Sequence, residues 1–153
     1  MEQNQQENIV FNIEKIYIKD VSYEAPSVPM VFAHQETRQV DVQLIVEHAL
    51  LNPEQGLYEV ALTVTATAKR ENKSLFLIEV KQAGIFRILG ITGEMLQKTL
   101  EVICPHALLP FAREAINEFV CKGGFSQLLI TPINFEALYE QKQADMKEQS
   151  QKQ

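Results

Sequence analysis

The amino-acid sequence predicts an α+β fold in which a four-stranded antiparallel sheet is followed by helices. Over roughly the first ninety of the 153 residues, apolar and polar side chains alternate with the period of two that half-buried strands show. The connections between the last three of these segments are short, which favours antiparallel neighbours. From about residue 94 the apolar period becomes helical, and strands followed by helices are typical of α+β proteins.

The first strand is predicted from the segment IVFNIEKIYIKDVSYE, residues 9–24. Its apolar residues keep the period of two but change phase twice: first Phe11 and Ile13, then Ile16 and Ile18, then Val21 and Tyr23. Such slips predict a long, bent strand with bulges. The prolines of the following APSVP segment predict an irregular crossover.

Three further strands are predicted from VDVQLIV, YEVALTVTATA and SLFLIEVKQAGIF, residues 40–46, 58–68 and 74–86. The segments NPEQG and KRENK separate them and are typical of turns. In the last strand Phe76, Ile78 and Val80 oppose Leu77, Glu79 and Lys81. If both faces carry apolar residues, one face packs on the core and the other is available to a second subunit.

Three helices are predicted after the strands. EMLQKTLEVI, residues 94–103, is expected to form a short helix that ends before Pro105. From Leu108 a second helix presents an apolar face and ends at Gly123–Gly124; that face contains Phe111, Ala112, Ala115, Ile116, Phe119 and Val120. The last helix is expected to begin at an Asn134 cap, with an apolar stripe that ends after one or two turns.

Composition predicts one domain at residues 9–140, a disordered segment at 1–8 and a polar, mobile tail at 141–153. The chain begins without the basic and apolar regions of a signal peptide and has no run long enough to insert in a membrane, so we expect a cytoplasmic protein. The net charge is −6, of which −4 falls on residues 9–139. This balance argues against nucleic-acid binding and suits a basic partner.

The segment ICPHALLPFARE, residues 103–114, places Cys104 two residues from His106 and raises the question of a catalytic or metal site. Pro105 restricts the chain between them, and no neighbouring Asp or Asn orients the imidazole. A zinc site would show four ligands at recognisable spacing. We therefore favour a helix entrance with a buried cysteine and a surface histidine, and expect neither enzyme activity nor a metal or cofactor.

Two groups of residues suggest binding surfaces. Asp20 and Glu24 lie in the same phase of the first strand, which is typical either of a solvated sheet face or of an acidic docking surface. Apolar residues also fall beside proline-bearing or flexible segments, where they form a groove or simply close the core; they are Val31, Phe32, Phe135, Leu138 and Tyr139.

Four segments in this order resemble the SecB family of protein-export chaperones: IYIKDVSYEAPSVPMVF, YEVALTVTATA, FLIEVKQAGIF and ICPHALLPFAREAI with GGFSQLLITPINFEALY. The resemblance covers residues 9–140. It implies two main helices packed on one side of the sheet and a homotetramer built as a dimer of dimers. It also implies an ATP-independent holdase that binds unfolded precursor proteins and delivers them to the SecA motor.

The resemblance also implies three sets of site residues. A surface that faces SecA falls on Asp20, Glu24, Leu77 and Glu79. Positions tied to tetramer assembly fall on Ile78, Val80 and Gln82. A client groove falls on Val31, Phe32, Val42, Leu44, Phe135, Leu138 and Tyr139.

Two features depart from the family pattern. The family usually carries a tryptophan in the crossover, where this chain has Glu36 or its neighbours and contains no Trp. The tail KEQSQKQ is not acidic, so we expect a second, tail-mediated contact with SecA to be weak or absent. The alternatives are a SecB-like chaperone dedicated to an antitoxin, a cysteine hydrolase and a scaffold that ignores unfolded chains.

Overall fold

The computed structural model describes residues 8–34 and 37–152. Four strands come first: β1 (Val10–Glu24), β2 (Gln39–Asn52), β3 (Leu57–Arg70) and β4 (Lys73–Leu89). They are followed by α1 (Gly93–Lys98), a π-helical turn (Thr99–Ile103), α2 (Cys104–Lys122) and α3 (Phe135–Gln151). The predicted α+β order is confirmed. Glu36 and all of the predicted segment 1–8 except Asn8 lie outside the described residues.

All strand pairs in the sheet are antiparallel, and the strand order is β1-β4-β3-β2. The predicted bulges are confirmed, because the β1–β4 register shifts between Ile13 and Lys15 and again between Ile18 and Asp20. Each shift changes which alternate residues of β1 face the core. The apolar residues therefore stay on one face of the sheet although their phase in the sequence slips.

The connections follow from this order. Residues 71–72 join β3 to β4. Glu71 and Asn72 both have positive φ (49° and 66°), as a two-residue hairpin turn between strands with a right-handed twist requires. β1 and β2 form opposite edges of the sheet, so the chain between them crosses it. This crossover contains a short 3₁₀ helix, Met30–Ala33, in place of a regular strand or helix.

The prediction that a helix ends before Pro105 is wrong. α1, the π turn and α2 follow one another without a break, from Gly93 to Lys122. Pro105 is tolerated because the π turn that precedes it changes the winding of the helix at the start of α2. α2 therefore begins at Cys104, four residues earlier than predicted.

α2 packs on β4 and β3, and the core lies between this helix and one face of the sheet. No helix of the described chain packs on the opposite face, which we call the open face. Phe111 is a second correction: it is 45% exposed and not part of the buried side of α2. Gly123 ends α2 where an added Cβ would lie 1.8 Å from the Tyr23 hydroxyl, so this position has no room for a side chain.

α3 begins as predicted, because the Asn134 side chain accepts a hydrogen bond from the Ala137 N–H (3.0 Å). It packs against the π turn rather than over the centre of the sheet. Its buried residues, Phe135 and Tyr139, fall in the first two turns. The helix nevertheless continues to Gln151, through most of the polar segment that we predicted as a tail.

Candidate functional site

The four residues expected to face SecA lie together on the open face. The register pairs Glu24 of β1 with Leu77 of β4, and Ser22 with Glu79 two residues along. Asp20 follows on the same face, opposite Lys81. Asp20 and Glu24 are exposed, whereas Leu77 and Glu79 are half-buried. The structure therefore joins these residues in one patch of three carboxylates beside an apolar side chain, which we call the acidic patch.

Hydrogen bonds between strands organise this face. Thr65 of β3 donates to the Glu79 carboxylate (3.0 Å), which orients the carboxylate within the acidic patch. Lys81 bonds to Glu47 of β2 at 3.1 Å. The cation opposite Asp20 is therefore already paired with another carboxylate, and the patch keeps its negative character.

A second polar cluster on the open face joins β1 to β3 across β4. The Tyr17 hydroxyl donates to Glu59, and Lys19 bonds to the other carboxylate oxygen at 2.9 Å. The hydrogen bond from Tyr17 is the main reason that the pKa of Glu59 is lowered, with Lys19 adding to it. Burial, followed by the same hydrogen bond, raises the pKa of Tyr17 to about 12. Sequence reasoning missed this cluster, because 42 residues separate the two partners.

The residues that the resemblance ties to assembly do not lie on the surface of the chain. Ile78 and Val80 are fully buried in the core, and Gln82 is 3% exposed. The Gln82 amide donates to the Tyr17 carbonyl oxygen of β1 at 3.1 Å. None of the three side chains is available for direct contact with another subunit in this conformation.

Five of the seven predicted client-groove residues line two separate recesses on the helix side. The first, which we call the α3 recess, has a volume of about 170 Å³ and brings together four predicted residues, Leu44, Phe135, Leu138 and Tyr139. The second, the crossover recess, contains Val31 and has a volume of about 520 Å³. Val42 lies two residues before Leu44, on the same face of β2, but lines neither recess.

Within the α3 recess the predicted residues differ in exposure. Phe135 is 3% exposed and Tyr139 is 7% exposed, so both belong to the folded core. Leu138 lines the same recess but is 47% exposed. A bound chain could therefore bury additional apolar area on Leu138, whereas Phe135 and Tyr139 supply a floor that is already formed.

The crossover segment is anchored by aromatic rings. Phe32 packs on Phe125 with ring centroids 5.3 Å apart, and Phe125 packs on Phe76 at 5.1 Å. Gly124 lies beneath the Phe32 ring, where an added Cβ would be 2.9 Å from the ring. Phe32 remains half exposed, at the side of a cavity of about 400 Å³ that shares Val31 with the crossover recess.

An ionic cluster forms one side of the α3 recess. Glu101 of the π turn, 11% exposed, bonds to Lys142 of α3 at 3.0 Å. His48 of β2 lies 3.7 Å from the same carboxylate. The cluster connects α3 to the π turn beside the edge strand β2. Sequence reasoning missed it too, because no local pattern relates residues so far apart in the chain.

Cys104 and His106 point in different directions. The thiol is fully buried in the core, and burial raises its pKa to about 12, which opposes thiolate formation. His106 is exposed, and its ring is arranged edge-on to the Phe135 ring with the two ring centroids 6.4 Å apart. The predicted burial of the cysteine and exposure of the histidine are confirmed, whereas the predicted helix entrance is wrong, because the helix continues through Pro105.

Comparison with known proteins finds sequence similarity to SecB proteins. A sequence model described as "Preprotein translocase subunit SecB" matches residues 3–146. The protein-export protein SecB of Dechloromonas aromatica is 46% identical over 142 residues, 93% of this chain and 91% of that protein. SecB of Chromobacterium violaceum is 47% identical over 148 residues, 97% of both chains.

The fold also resembles a solved structure. The SecB-like chaperone Rv1957 of Mycobacterium tuberculosis, in complex with a ChAD peptide from the HigA1 antitoxin, superposes with a TM-score of 0.67 and 11% identity. The similarity covers 81% of this chain and 91% of that chain. In the part of this chain that the structure describes, no helix is both long and apolar enough to cross a membrane.

Proposed function

The chain belongs to the SecB family, and we propose that it binds unfolded precursor proteins without ATP and delivers them to the SecA motor for export. The observation that carries the holding step is the pair of apolar recesses on the helix side, each with half-exposed apolar side chains at its opening. No catalytic group is needed, and the buried Cys104 thiol supports a role without enzyme activity. We expect this role to be carried out in the cytoplasm.

Holding follows from burial of apolar area. A client side chain that enters a recess gains about 25 cal/mol for each Å² of apolar surface removed from water, less the cost of ordering its chain. Each contact is weak, but several recesses on one assembly raise the effective concentration of the next contact. Affinity therefore needs little sequence specificity, and release needs no nucleotide at this protein.

The holding step is tested by refolding. A slow-folding precursor diluted from denaturant should stop refolding when this protein is added without nucleotide, near one tetramer per client. The assembly state is measured in the same sample by light scattering. Undisturbed refolding in the presence of the assembled protein would contradict the proposal.

The acidic patch is the proposed contact with SecA. Its three carboxylates lie on one uncovered sheet face, and Thr65 orients one of them. Such a contact should weaken as salt rises, because opposite charges at a surface are screened.

Charge reversal separates docking from client holding. Asp20→Lys with Glu24→Lys should abolish SecA binding, measured by titration calorimetry, and leave refolding arrest unchanged. The control reverses two exposed acids elsewhere, Glu54 and Glu94, and should bind SecA like the unaltered protein. Equal loss of both activities in the patch variant would refute this division of roles.

A homotetramer arranged as a dimer of dimers is the proposed assembly. Apolar side chains remain exposed on the edge strand β1 and on α2; they are Phe11, Ile13, Ile18 and Phe111. Large exposed apolar patches are typical of interfaces. Ile78, Val80 and Gln82 would act indirectly, by fixing how α2 sits on β4. Phe111→Arg should give smaller particles in sedimentation velocity, whereas Met95→Arg, at another exposed site, should not.

A dedicated antitoxin chaperone is not favoured. The solved SecB-like chaperone that holds an antitoxin peptide shares 11% identity with this chain, against 46% and 47% for the two export proteins. The shared fold supports the ability to bind a peptide, and the higher identity supports export as its purpose.

A further inference from the structure

Two lysines lie next to the acidic patch, yet neither is bonded to it. Lys19 is the unpaired residue at the second bulge of β1, and Asp20, the next residue, lies directly opposite Lys81 of β4. Asp20 therefore has one cation beside it in the chain and another across the strand pair. Even so, Asp20 has no ion pair among the residues that the structure describes.

Each lysine is bonded to a carboxylate outside the acidic patch. The Lys81 amine lies 3.1 Å from Glu47 of β2, and the Lys19 amine lies 2.9 Å from Glu59 of β3. The pKa of Glu59 is lowered chiefly by the hydrogen bonds from Tyr17 and Lys19. The charge of Lys81 lowers it further, so Lys81 is attracted by a second carboxylate besides Glu47. Both lysines are thus drawn towards β2 and β3 and away from the β1 carboxylates.

Two alanines make room for this arrangement. Ala61 and Ala83 lie opposite each other on the open face, and Ala61 is also opposite Glu47. They are only 4% and 0% exposed, although no helix of the described chain packs on this face. The longer side chains around them therefore lie across them, as the stems of lysines often do on apolar surface. This packing supports the path of Lys81 along the sheet to Glu47.

The direction of the two lysines decides the charge that the acidic patch presents. An ion pair between Asp20 and either lysine would cancel one of its three carboxylates at the surface. Attraction for a basic partner depends on complementary charge, and it would fall accordingly. The carboxylates across the sheet compete with Asp20 for the same cations, and in this structure they hold both of them.

We propose that Glu47 and Glu59 are positioning residues for the contact with SecA. Each holds one lysine away from Asp20, so the acidic patch presents unpaired carboxylates to a basic segment of the partner. Neither glutamate needs to touch the partner itself. This inference rests on the proposed docking of SecA at the acidic patch, and it adds two residues that lie outside that patch.

Glu47 provides the simplest test, because its side chain is 58% exposed on an edge strand and the fold does not depend on it. Glu47→Gln should weaken SecA binding about threefold in titration calorimetry at low salt, since Lys81 then turns to Asp20. High salt should remove the difference. The matched control is Glu54→Gln, which removes the same charge at another exposed site and should bind SecA like the unaltered protein.

A second substitution separates positioning from direct contact and from simple loss of charge. Lys81→Gln alone should change the SecA affinity by less than about twofold, because Lys81 is already held by Glu47. Added to Glu47→Gln, it should restore the affinity of the unaltered protein, whose net charge the double variant shares. Strictly additive effects, or a double variant that stays weak, would mean that Glu47 acts by its charge or touches SecA, and would overturn the inference.

Glu59→Gln tests the other lysine in the same way. Glutamine keeps an acceptor for the Tyr17 hydroxyl but has no charge to hold Lys19. SecA binding should weaken, and Lys19→Gln in the same chain should restore it, with urea denaturation checking that both variants are folded. A folded double variant that still binds SecA weakly would refute the positioning role of Glu59.

Failure of this inference differs from failure of the proposed docking. If Asp20→Lys with Glu24→Lys abolishes SecA binding but Glu47→Gln binds SecA normally, the docking surface stands and the positioning role is refuted. If reversal of the patch leaves SecA binding unchanged, the docking proposal itself is wrong, and the positioning role is refuted with it.

Discussion

Leu138 is expected to contact clients without contributing much to folding. It lines the α3 recess and is 47% exposed, so a bound chain could bury about half of its side chain. Full burial of a leucine contributes about 1.5–3 kcal/mol. The remaining half should contribute about 1 kcal/mol to binding, which corresponds to about a fivefold change in Kd.

Leu138→Ala should therefore raise the Kd for an unfolded client about fivefold, measured by anisotropy. Its free energy of unfolding should fall by only about 1 kcal/mol, since half of the side chain is in water already. Phe135→Ala, one turn earlier, should instead lower the stability by about 3–5 kcal/mol, because Phe135 is 3% exposed. Both values come from urea denaturation.

Met146→Ala is the matched control, because Met146 is also exposed on α3 but does not line the recess. It should leave both client affinity and stability unchanged. The reasoning would be refuted if Leu138→Ala bound clients as tightly as the unaltered protein, or if it lost as much stability as Phe135→Ala.

Three other variants address particular contacts. Tyr23→Phe should raise the free energy of unfolding by about 1 kcal/mol in urea denaturation, because the buried hydroxyl has no hydrogen-bond partner in the described chain; a less stable variant would contradict this. Tyr17→Phe should destabilise the protein at neutral pH, because Tyr17 lowers the pKa of Glu59 below 4.5. That contribution is present above pH 4.5 and is lost as the pH falls through the lower folded-state pKa, so urea midpoints of variant and parent should converge once the pH is below that lowered pKa. A constant difference would exclude the linkage. Lys142→Ala should increase amide exchange in α3 about fivefold, since it removes the closer partner of the largely buried Glu101 carboxylate. Unchanged exchange would mean that the ion pair does not hold the helix.

Strand periods, bulges and the Asn134 cap could be predicted from the sequence because each depends on neighbouring residues. The phase slips in the first strand correspond to the two register shifts that the structure contains. The continuation of the helix through Pro105 was not predictable by the same means. A proline interrupts an isolated helix, but here it falls in a first turn after a π turn, with Cys104 and Leu108 buried on the sheet.

The client groove shows the same distinction. The stripe Phe135, Leu138 and Tyr139 was visible from helical spacing, and the structure brings it to Leu44 of β2. Spacing alone could not show that only Leu138 remains half-exposed, because exposure depends on what the π turn and β2 cover. It also could not show that the crossover residues line a separate recess next to the β3–β4 turn.

By itself, the sequence determined the α+β class, the two faces of each strand, and a family membership carried by several motifs in order. Tertiary structure decided that β1 pairs with β4 and that Asp20 and Glu24 lie beside Leu77 and Glu79. The physical reason is the sequence separation over which each kind of interaction acts. Backbone preferences and side-chain periods act over a few residues, whereas strand order and surface patches arise from packing between segments more than fifty residues apart.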